Sequence, residues 1–166
     1  MCYPSASMDI VEQLIRRAER LGAFGVPAPP RLGLAVVTCM DARIDPVRIF
    51  DLAPGDAHIL RNAGGVVTDD VIRSLMFSQR HLGTRAVVLI HHTRCGLQGV
   101  REAEVKAEIE TQTGIRPPFA LEVFTDLDGD VRQSMARVRH SPFLPHRDQV
   151  RGFVLDVDEG SLREIV

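Results

Sequence analysis

Three short runs of apolar, largely β-branched residues, each followed by a stretch that reads as helix, constrain this chain more than any other feature. Residues 32–38 (LGLAVVT), 57–61 (AHILR) and 86–90 (AVVLI) have the length and composition of strands. The third carries no polar residue, so it expects cover on both faces, as in a parallel sheet. Residues 46–52 read as a brief helix and Pro54-Gly55-Asp56 as a turn. A stronger helix runs from a Thr68 cap, with Asp69 and Asp70 in its first turn, to Leu82, where Gly83 stops it. Residues 99–113 read as a charged helix ended by Gly114, and residues 130–140 as another. Residues 152–157 and 161–166 form a hairpin pattern around Asp158-Glu159-Gly160. The expected fold is therefore α/β: a mainly parallel sheet flanked by helices, with an antiparallel edge strand from the C-terminal hairpin.

At 166 residues, against about 150 per domain, the whole of 1–166 reads as a single domain. Its α/β body occupies 31–166 and a helical arm occupies 1–24. In the arm, residues 7–21 form an amphipathic pattern with Ser7 as cap and Ile10, Leu14 and Leu21 on one side. Residues 25–30 (GVPAPP) break it from the body, and a stripe so tethered needs somewhere to be buried. No run approaches 18 apolar residues, and Asp9, Glu12 and Glu19 interrupt the N-terminal segment, so neither a membrane span nor a secretory leader is expected. A net charge of −2 and 5% aromatic residues speak against a nucleic-acid partner. Three cysteines are too few for a disulfide framework and point to free thiols in the cytoplasm.

Two of those cysteines lie in segments that follow strands. Cys39-Met40-Asp41-Ala42-Arg43 follows the first and His91-His92-Thr93-Arg94-Cys95-Gly96 the third. Ligands of open parallel sheets collect at the carboxyl ends of strands, where strand order reverses. With the order 2-1-3-4, strands one and three are neighbours, and Cys39 faces His92 and Cys95. Two thiolates and an imidazole suit zinc, and three protein ligands leave a fourth position for water. A structural site would need a fourth protein ligand, and the spare thiol, Cys2, sits at the terminus.

Cys-x-Asp-x-Arg and His-x-x-Cys with RNAGG between them resemble the β-class carbonic anhydrases, especially their short microbial branch, whose CMDAR, GDAH, RNAGG, TDDVIRS and HHT-x-CG segments all have counterparts here. The resemblance implies zinc, one ion per subunit, on Cys39, His92 and Cys95. It implies a catalytic pair in Asp41 and Arg43, and reversible hydration of CO2 to bicarbonate by a zinc-bound hydroxide. It also implies a homodimer or higher even oligomer embraced by the N-terminal helix. Asp41 would accept a hydrogen bond from the hydroxide while Arg43 holds it ionised and off the metal. The family further implies a closed form at lower pH, in which Asp41 reaches the zinc. Arg94 fills a slot where close relatives often carry Asp, which adds positive charge at the rim of the site. Pro29 and Pro30 occupy the region where plant-type relatives place a glutamine before the first zinc cysteine. His58 stands where they have an aromatic residue and is a candidate proton shuttle.

Plainer explanations compete at single positions. His58 can be a strand histidine satisfied by a carbonyl, His81 can complement a helix dipole, and His91 should point away from its ligand neighbour. Gly64 and Gly65 permit a tight turn near the pocket. Two other functions also stay open: hydrolysis of carbonyl sulfide or carbon disulfide at the same site, and a non-catalytic zinc or thiol protein.

Overall fold

The computed structural model describes residues 9–166, so Cys2 and the expected Ser7 cap lie outside the described residues. The chain runs α1 (Ile10–Ala18), β1 (Leu34–Cys39), α2 (Pro46–Phe50), β2 (Ala57–Asn62), a single 3-10 turn (Ala63–Gly65), α3 (Asp69–Leu82), β3 (Ala86–His92), α4 (Glu102–Thr113), α5 (Leu127–His140), β4 (Gln149–Leu155) and β5 (Leu162–Ile165). One sheet of five strands has the order β2-β1-β3-β4-β5. β1 pairs in parallel with β2 and β3, and β3 with β4. Only β5 is antiparallel, along β4. The expected α/β sheet, with its 2-1-3-4 core and antiparallel edge, is present.

Local chemistry sets the helix ends. Asp45 Oδ1 accepts from Val47 N (3.1 Å) and Arg48 N (3.3 Å), and Pro46 opens α2 without an orphan N–H. Thr68 Oγ1 accepts from Val71 N at 3.4 Å, and Gly83 ends α3 in the left-handed region. Other boundaries differ from those expected. α1 begins later, capped by Asp9, whose Oδ1 accepts from Val11 N at 3.3 Å. α5 begins three residues early, because Asp126 Oδ1 takes Gly129 N at 3.0 Å and turns an apparent loop into a helix start. Gly99 adopts a left-handed φ of 78°, so α4 starts only at Glu102. β4 starts at Gln149 rather than 152, and it is a sheet strand beside β3 before it is half of a hairpin.

Both faces of the sheet are covered. One face packs Ala35, Val37, Val87 and Leu89 against Val71 and Leu75 of α3 and Val131, Met135 and Val138 of α5. The other buries Val36, Ile44, Ile90, Phe124 and Leu155 together with Cys39 and Cys95. α5 lies very close to β4: a Cβ on Gly152 would meet Val131 Cγ1 at 2.4 Å and Met135 Sδ at 2.9 Å. By contrast Ile10, Val11, Leu14, Ile15 and Leu21 of the arm segment are all more than half exposed. No helix among the described residues is long and apolar enough to cross a membrane.

Candidate metal centre and active site

β1 and β3 are adjacent and parallel, so their carboxyl ends open on the same edge of the sheet. Cys39 is the last residue of β1, and His92 the last of β3. Cys95 follows on the loop after β3. One donor atom from each of Cys39, His92 and Cys95 lies within 4.8 Å of the others, and all three residues are buried. Thr38 Oγ1 donates to Ile90 O at 2.9 Å and locks the two strands together just below them. The tight approach of the RNAGG segment completes the floor. Gly65 has φ +73°, and a Cβ there would sit 2.7 Å from Cys39 N and 3.1 Å from Ile90 O.

The donor set suits a borderline-soft dication. His92 Nδ1 is 2.9 Å from Thr93 O and donates to it, which leaves Nε2 as the unprotonated nitrogen. That Nε2 is buried and has no hydrogen-bond partner. Burial also lowers the His92 pKa, keeping the ring neutral and able to ligate. Both cysteines are free thiols. Burial pushes the Cys95 thiol up, so it is a thiol until a cation draws off its proton.

Beside the donors, Asp41 and Arg43 form a fork. Asp41 Oδ1 accepts from Arg43 N and Nε, both at 2.9 Å, and Oδ2 accepts from Nη2 at 2.7 Å. These hydrogen bonds hold the Asp41 carboxyl well below the usual carboxylate range, and they raise the Arg43 guanidinium. Arg43 Nη2 also donates to Arg94 O at 3.0 Å. Arg94 itself has a left-handed φ of 55°. A cavity of about 320 Å³ opens over the group, walled by Met40, Ala63, Gly64 and Leu97 with Cys39, Asp41 and Cys95 at its base.

Other candidates separate from the site. His58 pairs with Ala35, near the start of β1, far down the strand from Cys39. Its Nδ1 lies 2.8 Å from Ser78 Oγ and its Nε2 3.1 Å from Ala28 O, so both nitrogens are engaged in tying the sheet to α3 and to the arm linker. His81 stacks on Phe77, with ring centroids 5.3 Å apart. His91 is fully buried, its Nδ1 3.0 Å from Asp130 Oδ2 on α5. The positive charge expected from Arg94 at the rim is balanced, since Arg94 Nη2 lies 2.9 Å from Asp158 Oδ2. One contributor escaped the sequence reading. Arg61 donates from Nε to Cys39 O (3.0 Å) and from Nη2 to Asp41 O (2.7 Å). Its position at the head of RNAGG was the available signal.

This arrangement has named counterparts. The carbonic anhydrase family model matches residues 34–162. The chain is 49% identical over 140 residues to "Beta-carbonic anhydrase 1" of Mycobacterium tuberculosis, covering 84% of this chain and 86% of that protein. It is 45% identical over 183 aligned positions to a "Carbon disulfide hydrolase" of Saccharolobus solfataricus, covering 94% and 89% of the two chains. Among solved structures, a carbonic anhydrase from Streptococcus mutans superposes with a TM-score of 0.89 at 38% identity, over 97% of this chain and 100% of that one. The family match begins with β1 and ends at the first residue of β5, taking in all four parallel strands and the residues that their carboxyl ends carry. The chain belongs to the β-carbonic anhydrase family.

Proposed function

We propose that this protein catalyses the reversible hydration of CO2 to bicarbonate and a proton, with one zinc ion per subunit held by Cys39, His92 and Cys95, and with Asp41 and Arg43 as the catalytic pair. The observation that carries this reading is the Asp41–Arg43 fork standing beside a cluster of three donors among the described residues. A purely structural site would be closed by a fourth protein ligand and would have no use for a carboxylate held ionised at its edge. When bound, zinc supplies Lewis-acid activation of water, bringing its ionisation near neutral pH.

The chain's own residues do the rest. Asp41 Oδ1 already takes two N–H groups from Arg43 and Oδ2 only one, so Oδ2 keeps the freer lone pairs. We assign Oδ2 as the acceptor that orients the attacking water. As an ionised carboxylate, Asp41 accepts and does not donate, which fixes which way the water's proton points. Met40, Ala63 and Leu97 give the cavity an apolar wall suited to an uncharged, linear substrate.

Hydrolysis of carbon disulfide or carbonyl sulfide is the second reading. The Saccharolobus relative and the same apolar wall favour it; the relative from Mycobacterium tuberculosis favours CO2. Stopped-flow hydration of CO2, run beside sulfide release from both sulfur substrates, decides between them. Hydration well above the buffer rate is expected. Sulfide release without hydration would overturn the assignment, and neither activity would leave a non-catalytic zinc or thiol protein.

The same proposal takes the chain as one domain that acts as a homodimer or higher even oligomer in the cytoplasm, where a reducing milieu keeps Cys39 and Cys95 as thiols. The apolar, exposed side of α1 supports association, because a stripe of Ile10, Leu14 and Ile15 is more stable covered than in water. Light scattering should give at least a dimer at micromolar concentration, and removal of residues 1–24 should lower both mass and melting temperature. A monomeric full-length protein would contradict the proposal.

A further inference from the structure

Arg61 is on β2, in register with Thr38 of β1, one residue short of the strand's end. Its two hydrogen bonds do not go to a carboxylate. They go to main-chain carbonyls on either side of Met40: Nε to Cys39 O at 3.0 Å and Nη2 to Asp41 O at 2.7 Å. One of those residues carries a thiol of the proposed metal centre. The other carries the carboxylate gripped by Arg43. The following residue extends the mould, since Asn62 O accepts from Met40 N at 2.8 Å and Asn62 Nδ2 donates to Val66 O at 2.9 Å. Gly65 then presses on Cys39 N from the other side.

A planar guanidinium offers donors in a fixed fork, so two acceptors bound to one fork are fixed relative to each other. Here the fixed quantity is the path of the chain from Cys39 to Asp41. Arg43 also reaches a main-chain carbonyl at the site, Arg94 O at 3.0 Å, but through a single bond, and a solvated charge at Arg61 would not need two carbonyls.

We propose that Arg61 is a positioning residue that sets the Asp41 carboxylate relative to the Cys39 thiolate, and through that spacing governs both metal retention and turnover. The inference rests on the reading of Cys39, His92 and Cys95 as the metal centre. Arg61 bonds the main chain at Cys39 and Asp41 rather than their side chains, so its effect travels through the backbone.

The test loads full-length wild type, Arg61→Ala, Arg61→Gln and Arg61→Lys with cobalt(II) and reads three quantities. These are the visible spectrum of the thiolate-bound ion, the rate of cobalt loss to a chelator, and the kcat and KM of the zinc-loaded proteins for CO2 with and without added guanidinium ion. Arg61→Ala should lose cobalt about 10–100-fold faster than wild type, the range typical for groups that orient metal ligands. Its cobalt bands should shift, and its kcat should fall with little change in KM. Millimolar guanidinium should restore part of the kcat in Arg61→Ala and none in Asp41→Asn. Arg61→Lys should fall between, because an ammonium is a point charge without the fork. If Arg61→Ala does not fold, Arg61→Lys and Arg61→Gln carry the same measurements. Wild-type cobalt spectra and loss rates in the folded variants, with no response to guanidinium, would overturn the role of Arg61 alone. A wild-type protein that takes up no cobalt would overturn the metal-centre reading, and this proposal with it.

Discussion

Cys39→Ser is expected to give folded protein that carries no stoichiometric zinc and hydrates CO2 no faster than buffer. The centre has three donors, so one deletion leaves an imidazole and a single thiolate, too few to hold the ion against water. Serine is a poor substitute because its hydroxyl does not ionise near neutral pH, whereas a thiol gives up its proton on binding a metal. The fold should survive. Cys39 ends β1 at the mouth of the sheet, and burying a hydroxyl there without a partner costs about 1–3 kcal/mol, within the stability of an ordinary domain. Cys95→Ser should behave alike. Metal analysis and circular dichroism of both variants check this; full zinc content in Cys39→Ser would remove that residue from the centre.

Asp41→Asn should keep its zinc and lose about 10²–10⁴-fold in kcat at neutral pH, the usual contribution of a positioned proton acceptor. The amide would also present an N–H₂ to the Arg43 donors that now converge on two carboxylate oxygens. The fork must then open, so orientation and charge are lost together. Arg43→Ala reaches a related state by another route. Without its guanidinium, the Asp41 carboxyl loses the side-chain hydrogen bonds that depress it most, keeps the one from the backbone N–H of residue 43, and rises toward the ordinary carboxylate range. Asp41 would then begin to protonate at higher pH than in wild type, and the acid limb of kcat/KM should move up in pH. Zinc content with steady-state rates across pH measures all three effects. Wild-type rates in both variants would rule out the pair.

The parts of this molecule legible from sequence share one property: their signal is local. Val36, Val37, Val87, Val88 and Ile90 are apolar and mostly β-branched, and they made β1 and β3 visible as buried strands. Once those strands were neighbours, Cys39, His92 and Cys95 had to meet. The first turn of β4 was hidden because Gln149 and Arg151 face outward, where polar residues break an apolar run without ending a strand. The start of α5 was hidden because the acidic, glycine-containing residues 125–129 suit a turn as well as a capped helix. Arg61 was passed over for a different reason. A side chain bonded to main-chain carbonyls at and just beyond the end of a neighbouring strand leaves no spacing rule, since its partners are set by register and by the path of the loop that follows.

The β1–β3 neighbour relation also dictates when the metal centre comes into being. Residues 39 and 92 are joined through β2 and all of α3, so their meeting requires a long loop to close before any ion can be chelated. Contacts of that span form slowly compared with the local contacts of the helices. Before β1 and β3 pair, His92 and Cys95 are near neighbours along the chain but Cys39 is not held beside them, so what they offer together is a weak chelator. In the proposed centre, ion capture would therefore mark the arrival of β1 beside β3. From that moment free zinc at about 1,000 times its dissociation constant would hold the native state by about 4.1 kcal/mol. The ion would clamp β1 to β3 across the middle of the sheet, and a chelator would act on this protein as a selective solvent for the centre of that sheet.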